Sequence, residues 1–357
     1  MIICSPQYGL APHSTAGGEV HDEQILKGLA DAGHTVEIIL PYDAPYDAQQ
    51  KRWHVFHIPI PFIHTSYLFN IAIIPILYKL YKHEPFDILR IHSPYFVGIG
   101  AWIFKKCFAP HMPLIATYHH LEDGRWDFRL IDSLFVNVWN HIVTDSNYTK
   151  QELQKRYNVP ERRICTIYNA VDVSISPHKI HFPRKTCRLV FCGRLIPRKN
   201  ISFLFKVLRE MRGRAQLIII GEGPQYDTLV KKAYEHQVRE QVVFKGRLTE
   251  QEKRDVYRNA HIFVFPSLME GFGLAPLEAM AHGIPTLVSN RGSLPEVVGE
   301  GGKILPLVPE MWAEAIDELC RNETLYLRLS QKAVKRAHHF TWENAVRETE
   351  KAFLSYA

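Results

Sequence analysis

RLVFCGRLIPRKNISFLFKVLREM, residues 188–211, sets the pattern on which the whole chain is built. A run of β-branched and aromatic residues ends at Gly193, and a short loop then carries Arg194, Arg198 and Lys199. Asn200 is placed to cap a following helix, whose buried face is predicted by Ile201, Leu204, Phe205, Leu208 and Met211 at helical spacing. The unit is strand, basic loop, helix. Downstream it recurs with QLIIIG (216–221), VVFKG (242–246), HIFVFP (261–266) and IPTLVS (284–289) as strands. Upstream, IIC (2–4), TVEIIL (35–40), FDILRIH (86–92), PLIATYH (113–119), HIVTDS (141–146) and RICTIYN (163–169) read the same way, with amphipathic segments such as 18–32 and 95–107 between them. Apolar runs of this length separated by helices indicate parallel strands covered on both faces. Two such series predict an α/β chain of two Rossmann-like, doubly wound domains. The first covers 1–172 and the second 188–338. Between them VSISPHKIHFPRKTC (173–187), with two prolines, two histidines and no helical period, reads as a linker. A last helix lies within 339–357, with Thr341 placed as its N-cap and Asn344 where a capping box wants Glu or Gln.

Composition narrows the class. The length of 357 residues suits two domains, and Lys+Arg 43 against Asp+Glu 37 leaves a diffuse net charge of +6, unlike a nucleic-acid-binding tail. With 46% apolar and 22% charged residues, disorder, collagen and coiled coil are excluded. Six cysteines form no C-x-x-C pair, which argues against a disulfide scaffold or zinc ribbon and fits a reducing compartment. No charged-then-apolar leader opens the sequence, so a cytoplasmic protein is expected. The longest apolar run, Tyr67 to Tyr81, falls short of the roughly 20 residues a spanning helix needs. Asn70, Pro75 and Lys79 interrupt it. A buried helix is the primary reading; a helix lying on a membrane surface is the lesser one, which leaves open a place at the inner face of a membrane.

The residues that carry chemistry gather in MEGFGLAPLEAMAHG, 269–283. Gly271 and Gly273 let backbone approach a ligand, and Pro276 suits a first helical position, making Ala275 the expected N-cap. The free N–H groups of such a first turn form an anion site suited to a diphosphate. Glu270 before the loop and Glu278 on the helix are each able to accept two hydrogen bonds from a sugar diol. Arg194, Arg198 and Lys199 stand at another helix start, where cations oppose the dipole unless a bound phosphate balances them.

These pieces resemble glycosyltransferase family four, retaining enzymes of the GT-B fold. The matching residues are GRLIPRKN (193–200), GEGP (221–224), FPSLMEGFGLAPLEAM (265–280) with its E-x7-E spacing and SNRGSLPEVVG (289–299). In the first half GGEVHDEQILKGLADAGHTVEI (17–38), TYHH (117–120), TDSNYTKQEL (144–153) and IYNAVD (167–172) match as well. The resemblance implies two domains facing across a cleft, with the terminal helix crossing back onto the first. It implies a nucleoside-diphosphate sugar on the second domain and a hydroxyl acceptor (glycan, lipid-linked sugar or small molecule) on the first.

Residue by residue, the resemblance gives Arg194 and Lys199 the diphosphate leaving group, Glu270 the donor sugar and Glu278 the ribose. The backbone of Gly271, Phe272, Gly273, Leu274 and Ala275, with Gly193 and Gly221, would line the nucleotide. Arg247 and Leu248 would border the base. Gly17 and Gly18 would bring backbone to the diphosphate, and His119 would stand near the transferred sugar. His120 takes a position where acidic residues are common, and Ala170 replaces a frequent glycine. No metal and no cofactor is expected, since the cations and helix dipole would stabilise the leaving charge. A nucleotide-sugar epimerase or hydrolase on the same scaffold is the alternative. A phosphorylase would need a pyridoxal-phosphate lysine that nothing identifies, and a dehydrogenase would need G-x-G-x-x-G after a strand.

Overall fold

A computed structural model describes residues 1–10, 17–42, 52–59, 66–121, 126–173 and 182–356. The chain divides into two compact units, Met1–Ala170 with Trp342–Ala357, and Val171–Thr341. Most of the sequence read as a linker, 174–181, lies outside the described residues.

In the first unit the strands are β1 (Ile2–Pro6), β2 (Thr35–Leu40), β3 (Trp53–His57), β4 (Ile88–Ile91), β5 (Leu114–Tyr118), β6 (His141–Thr144) and β7 (Ile164–Thr166). They lie in the order β3-β2-β1-β4-β5-β6-β7, every neighbouring pair parallel. β4, β5 and β6 are buried along their whole length, which is why they read as unbroken apolar runs rather than alternating ones. Helix α1 (Gly17–Asp31) covers one face through Ile25, Leu26 and Leu29. The other face is covered by α2 (Ser66–His83), α3 (Ile99–Phe108) and α4 (Trp126–Phe135), through Phe69, Ile73, Phe104, Phe128 and Ile131. Helix α5 (Asn147–Tyr157) adds Leu153 to that second core.

The second unit repeats the plan. Its strands β8 (Cys187–Cys192), β9 (Ala215–Ile220), β10 (Val242–Gly246), β11 (Ile262–Phe265), β12 (Thr286–Ser289) and β13 (Gly302–Leu305) lie in the order β10-β9-β8-β11-β12-β13, again all parallel. Its helices are α6 (Ser202–Glu210), α7 (Tyr226–Glu235), α8 (Glu250–Asn259), α9 (Leu274–Ala281), α10 (Leu294–Val298), α11 (Pro309–Arg321) and α12 (Glu323–Ala337). The last helix, α13 (Trp342–Leu354), belongs to the first unit, where Ala345 and Phe353 join the core beneath α1.

Two strands escaped the sequence reading, β3 (WHVFH) and β13 (GKIL), and both are sheet edges. An edge strand is covered on fewer sides, so its sequence carries less apolar signal. The helix expected over 95–107 is split, with a π-helical turn at Pro94–Gly98 leading into α3. The strand expected over 163–169 is shorter, spanning Ile164–Thr166 after a 3-10 turn at Glu161–Arg163.

Candidate functional site

In a doubly wound sheet, ligands collect beyond the strand ends where the strand order reverses. In the second unit that place lies between β8 and β11. The loop after β8 carries Gly193, Arg194, Arg198 and Lys199; the segment after β11 carries Ser267 and Glu270. The two are strapped together: Leu268 N–H donates to Arg198 O at 2.8 Å, and Asn200 Nδ2 donates to Pro266 O at 3.3 Å. Asn200 is therefore not the helix cap that its position predicts. It closes the 3-10 turn Pro197–Lys199 in a left-handed conformation (φ 52°), leaving Ile201 at the N-cap of α6. The buried face of α6 also includes Phe203 and Val207 beyond the expected set.

Lys199 and Glu270 prove to be partners. Lys199 Nζ lies 2.6 Å from Glu270 Oε1, with side chains only 12% and 8% exposed. Ser267 Oγ donates to the same oxygen at 2.5 Å. Burial alone would push the Glu270 carboxyl up, but the Lys199 and Arg198 charges outweigh it and hold it below the usual value. Gly292 closes the turn behind: its φ is 59°, and a Cβ there would stand 2.5 Å from Glu270 O. Ser293 Oγ donates to Glu270 O (3.1 Å) and Phe272 O (2.8 Å). Arg194 is exposed, with no side-chain partner among the described residues.

Helix α9 starts earlier than its proline predicts. Gly273 is the N-cap at φ 104°, so Pro276 is the third helical residue and Glu278 the fifth. A positive φ is open to glycine, and it turns the chain into the helix two residues sooner. The amides of Leu274 and Ala275 occupy the first turn, while Pro276 supplies none. The Phe272 side chain is buried edge-on against Phe340, 5.7 Å between centroids, so only its backbone faces the loop. Glu278 pairs with Lys253 Nζ at 3.1 Å, and Lys253 also reaches Glu250 at 3.0 Å. Burial pushes the Glu278 carboxyl up and Lys253 works against it. Gly221 packs on Gly193, where a Cβ would come within 2.1 Å of its carbonyl oxygen. Arg247 is exposed at the end of β10, its N–H donating to Glu222 Oε1 at 3.4 Å; Leu248 beside it is half-buried. Lys253, Ser267 and Ser293 were not legible as site residues. The spacing of α8 against α9 brings Lys253 in, and no local pattern encodes that.

In the first unit Gly17 and Gly18 begin α1, after β1. A Cβ on Gly18 would sit 3.3 Å from the His119 ring, so glycine there lets the helix start press against the histidine at the end of β5. His119 Nδ1 lies 3.3 Å from Asp145 Oδ2, which also accepts from Asn169 Nδ2 at 3.3 Å. Asp145, within the TDS at the end of β6, was missed; an acid at the end of a buried parallel strand was the available signal. Below lies a buried cluster: Arg90 Nη1 donates to Asp22 Oδ2 at 2.6 Å, His92 Nδ1 lies 3.0 Å from Asp22, and the His92 ring stands 4.9 Å from that of His119. Burial holds His21 neutral, its pKa lowered to about 3.

Parallel doubly wound sheets in both units, with a cation–carboxylate pair and a glycine-capped helix at one switch point, define the α/β class of this protein. The family described as Glycosyl transferases group 1 matches residues 173–336, and that described as Glycosyltransferase Family 4 matches 15–175. The chain belongs to the family-four glycosyltransferases of the GT-B fold. An uncharacterized glycosyltransferase of Methanocaldococcus jannaschii is 27% identical over 99% of this chain and 98% of its own. Among solved structures, sucrose-phosphate synthase from Thermosynechococcus elongatus superposes with a TM-score of 0.85 at 17% identity, covering 99% of this chain and 98% of that one. The Anabaena protein HepE, solved in complex with UDP and glucose, gives 0.78 at 16% identity over 99% and 100%.

Proposed function

We propose that this glycosyltransferase moves a hexosyl group from a nucleoside-diphosphate sugar to a hydroxyl acceptor, with retention of configuration and without a metal or other cofactor. The observation that carries the reading is the buried Lys199–Glu270 pair at the second unit's switch point, beside the exposed Arg194 and the Gly273-capped helix. A diphosphate at this point meets Arg194, Lys199 and the amides of Leu274 and Ala275, which together offset the charge that develops as the glycosidic C–O bond breaks. As Lys199 turns to the phosphate, Glu270 is released to accept from sugar hydroxyls. Glu278 accepts from the ribose, with Lys253 holding it in place, and Arg247 and Leu248 border the base. The solved complex of HepE with UDP and glucose supports a donor of this chemical class.

In the first unit, His119, steadied by Asp145, faces the transferred sugar, and Gly17 and Gly18 give the backbone room. The acceptor oxygen attacks the face the leaving group departs from. Its proton passes to the departing phosphate, so no protein nucleophile is consumed and configuration is kept. The test is incubation with nucleotide-sugars and a hydroxyl acceptor, in the presence of EDTA. Undiminished transfer with the anomeric configuration retained is the expected result. Loss of turnover that magnesium restores would overturn the metal-free reading. A new nucleotide-sugar formed without acceptor would mark an epimerase instead, and rapid acceptor-independent cleavage a hydrolase.

A further inference from the structure

The apolar run at 67–81 forms α2 as expected, but it is only half buried. Phe69, Ile73 and Leu77 face the core, whereas Leu68 and Ile71 face outward, Ile71 being 64% exposed. Helix α4, covering the same side of the sheet, turns Trp126 (74% exposed), Leu130 and Leu134 (61%) outward as well. The two helix starts are joined by a hydrogen bond from the Tyr67 hydroxyl to Asp127, and α3 is joined to α2 by the Tyr78–Phe108 ring contact at 4.8 Å. Three helices thus present one apolar outer layer, a feature that monomeric surfaces rarely carry without a use.

The exposed charged side chains of these three helices are basic: Lys79, Lys82, Lys106 and Arg129. Neither α2 nor α3 contains an Asp or Glu. Of the two acids on α4, Asp132 is turned inward to the hydroxyls of Tyr95 and Tyr118, and Asp127 receives Tyr67. Among the described residues no helix is long and apolar enough to cross a membrane.

We propose that the outer layer of α2, α3 and α4 is a docking surface for an anionic lipid bilayer. Apolar side chains flanked by lysines, with an exposed tryptophan, match an interface whose acyl region is apolar and whose headgroups are negative. A second copy of the chain is a poorer complement, because a two-fold contact would set the same cations against one another. The proposal uses none of the residues assigned to transfer, so it stands whether or not that assignment does.

The test is cosedimentation of the full chain with vesicles of phosphatidylcholine alone and of phosphatidylcholine mixed with phosphatidylglycerol. Binding to the anionic vesicles, weakened by salt, is expected, with a blue shift of the emission component lost in Trp126→Tyr. The double variant Ile71→Asp with Leu134→Asp should lose at least about tenfold in vesicle binding at unchanged far-ultraviolet circular dichroism, since both positions are exposed. Lys82→Glu with Lys106→Glu, which leaves the apolar residues in place, should weaken binding to the anionic vesicles alone. Equal binding by wild type and both variants, or no binding by wild type, would overturn the proposal. So would a concentration-dependent dimer that the Ile71→Asp/Leu134→Asp variant abolishes, which would reassign the face to self-association.

Discussion

Lys199 and Arg194 stand five residues apart in one loop, yet their surroundings give them different work. Lys199 neutralises a buried carboxylate, whereas Arg194 lies in solvent. Lys199→Ala should therefore cost roughly 3 kcal/mol of stability, because it leaves the buried Glu270 carboxylate without its ion-pair partner. Arg194→Ala should stay within about 0.5 kcal/mol while slowing transfer at least as strongly. Urea unfolding set beside turnover checks both, and equal stability losses would count against the ion pair's role. Two further buried groups contribute to the response to pH. Burial leaves folded His21 with a pKa of about 3 against an ordinary 6.5. The unfolded chain therefore binds the extra proton, and stability, full above about 6.5, declines as pH falls toward 3, by up to about 1.4 kcal/mol per unit. Glu37 runs the other way: burial, then Glu84, raises it from 4.5 to about 7. Its contribution is complete below 4.5 and lost as pH rises to 7. Unfolding curves should show His21→Gln flattening the acid limb and Glu37→Gln gaining on wild type at pH 8 relative to pH 5.

Turns and helix starts decide where those side chains stand. Gly33 and Gly292 both have positive φ, 103° and 59°, but only Gly292 is hemmed in, by the backbone of Glu270; nothing lies within 4 Å of a Cβ on Gly33. Gly33→Ala should thus cost about 1 kcal/mol of backbone strain. Gly292→Ala should cost more than about 2 kcal/mol and lower turnover besides, because relieving the collision moves Glu270. Thermal unfolding and steady-state kinetics of the pair separate strain from displacement. Comparable losses in both variants would mean that the contact with Glu270 is of no consequence.

Across the whole chain, the first unit is completed by its last helix. The Trp342 ring lies tilted against His21 at 5.3 Å, Glu350 Oε1 reaches His34 Nε2 at 2.7 Å, and the Tyr356 hydroxyl lies 2.9 Å from His141 Nδ1. A Cβ on Gly28 would stand 2.3 Å from Val346, so α1 and α13 meet across a bare glycine. Removing residues 342–357 takes Ala345 and Phe353 out of the core that Ile25 and Leu29 of α1 share. Hydrogen exchange should then quicken at least about tenfold over residues 17–31, while residues 187–192 keep their protection. A uniform acceleration would mean that the two units do not unfold separately.

The alternation of apolar runs with amphipathic segments was enough to read two parallel, doubly wound sheets, since a strand buried on both faces must be apolar throughout. The glycines and charges of 193–200 and 269–283 marked the candidate site for the same local reason: backbone turns and anion-binding loops are written in consecutive residues. The edge strands β3 (WHVFH) and β13 (GKIL) stayed hidden because neither carries an unbroken apolar run. The Lys199–Glu270 and Lys253–Glu278 pairs join residues 71 and 25 positions apart. The early start of α9 turns on a positive φ at Gly273, which a proline three residues on conceals. The outward half of α2 could not be told from its inward half until the sheet lay beneath it. Periodicity and turn chemistry act between neighbours and are legible in order. Ion pairing, close glycine contacts and the choice of exposed face depend on which distant segment packs alongside, and only the tertiary structure decides that.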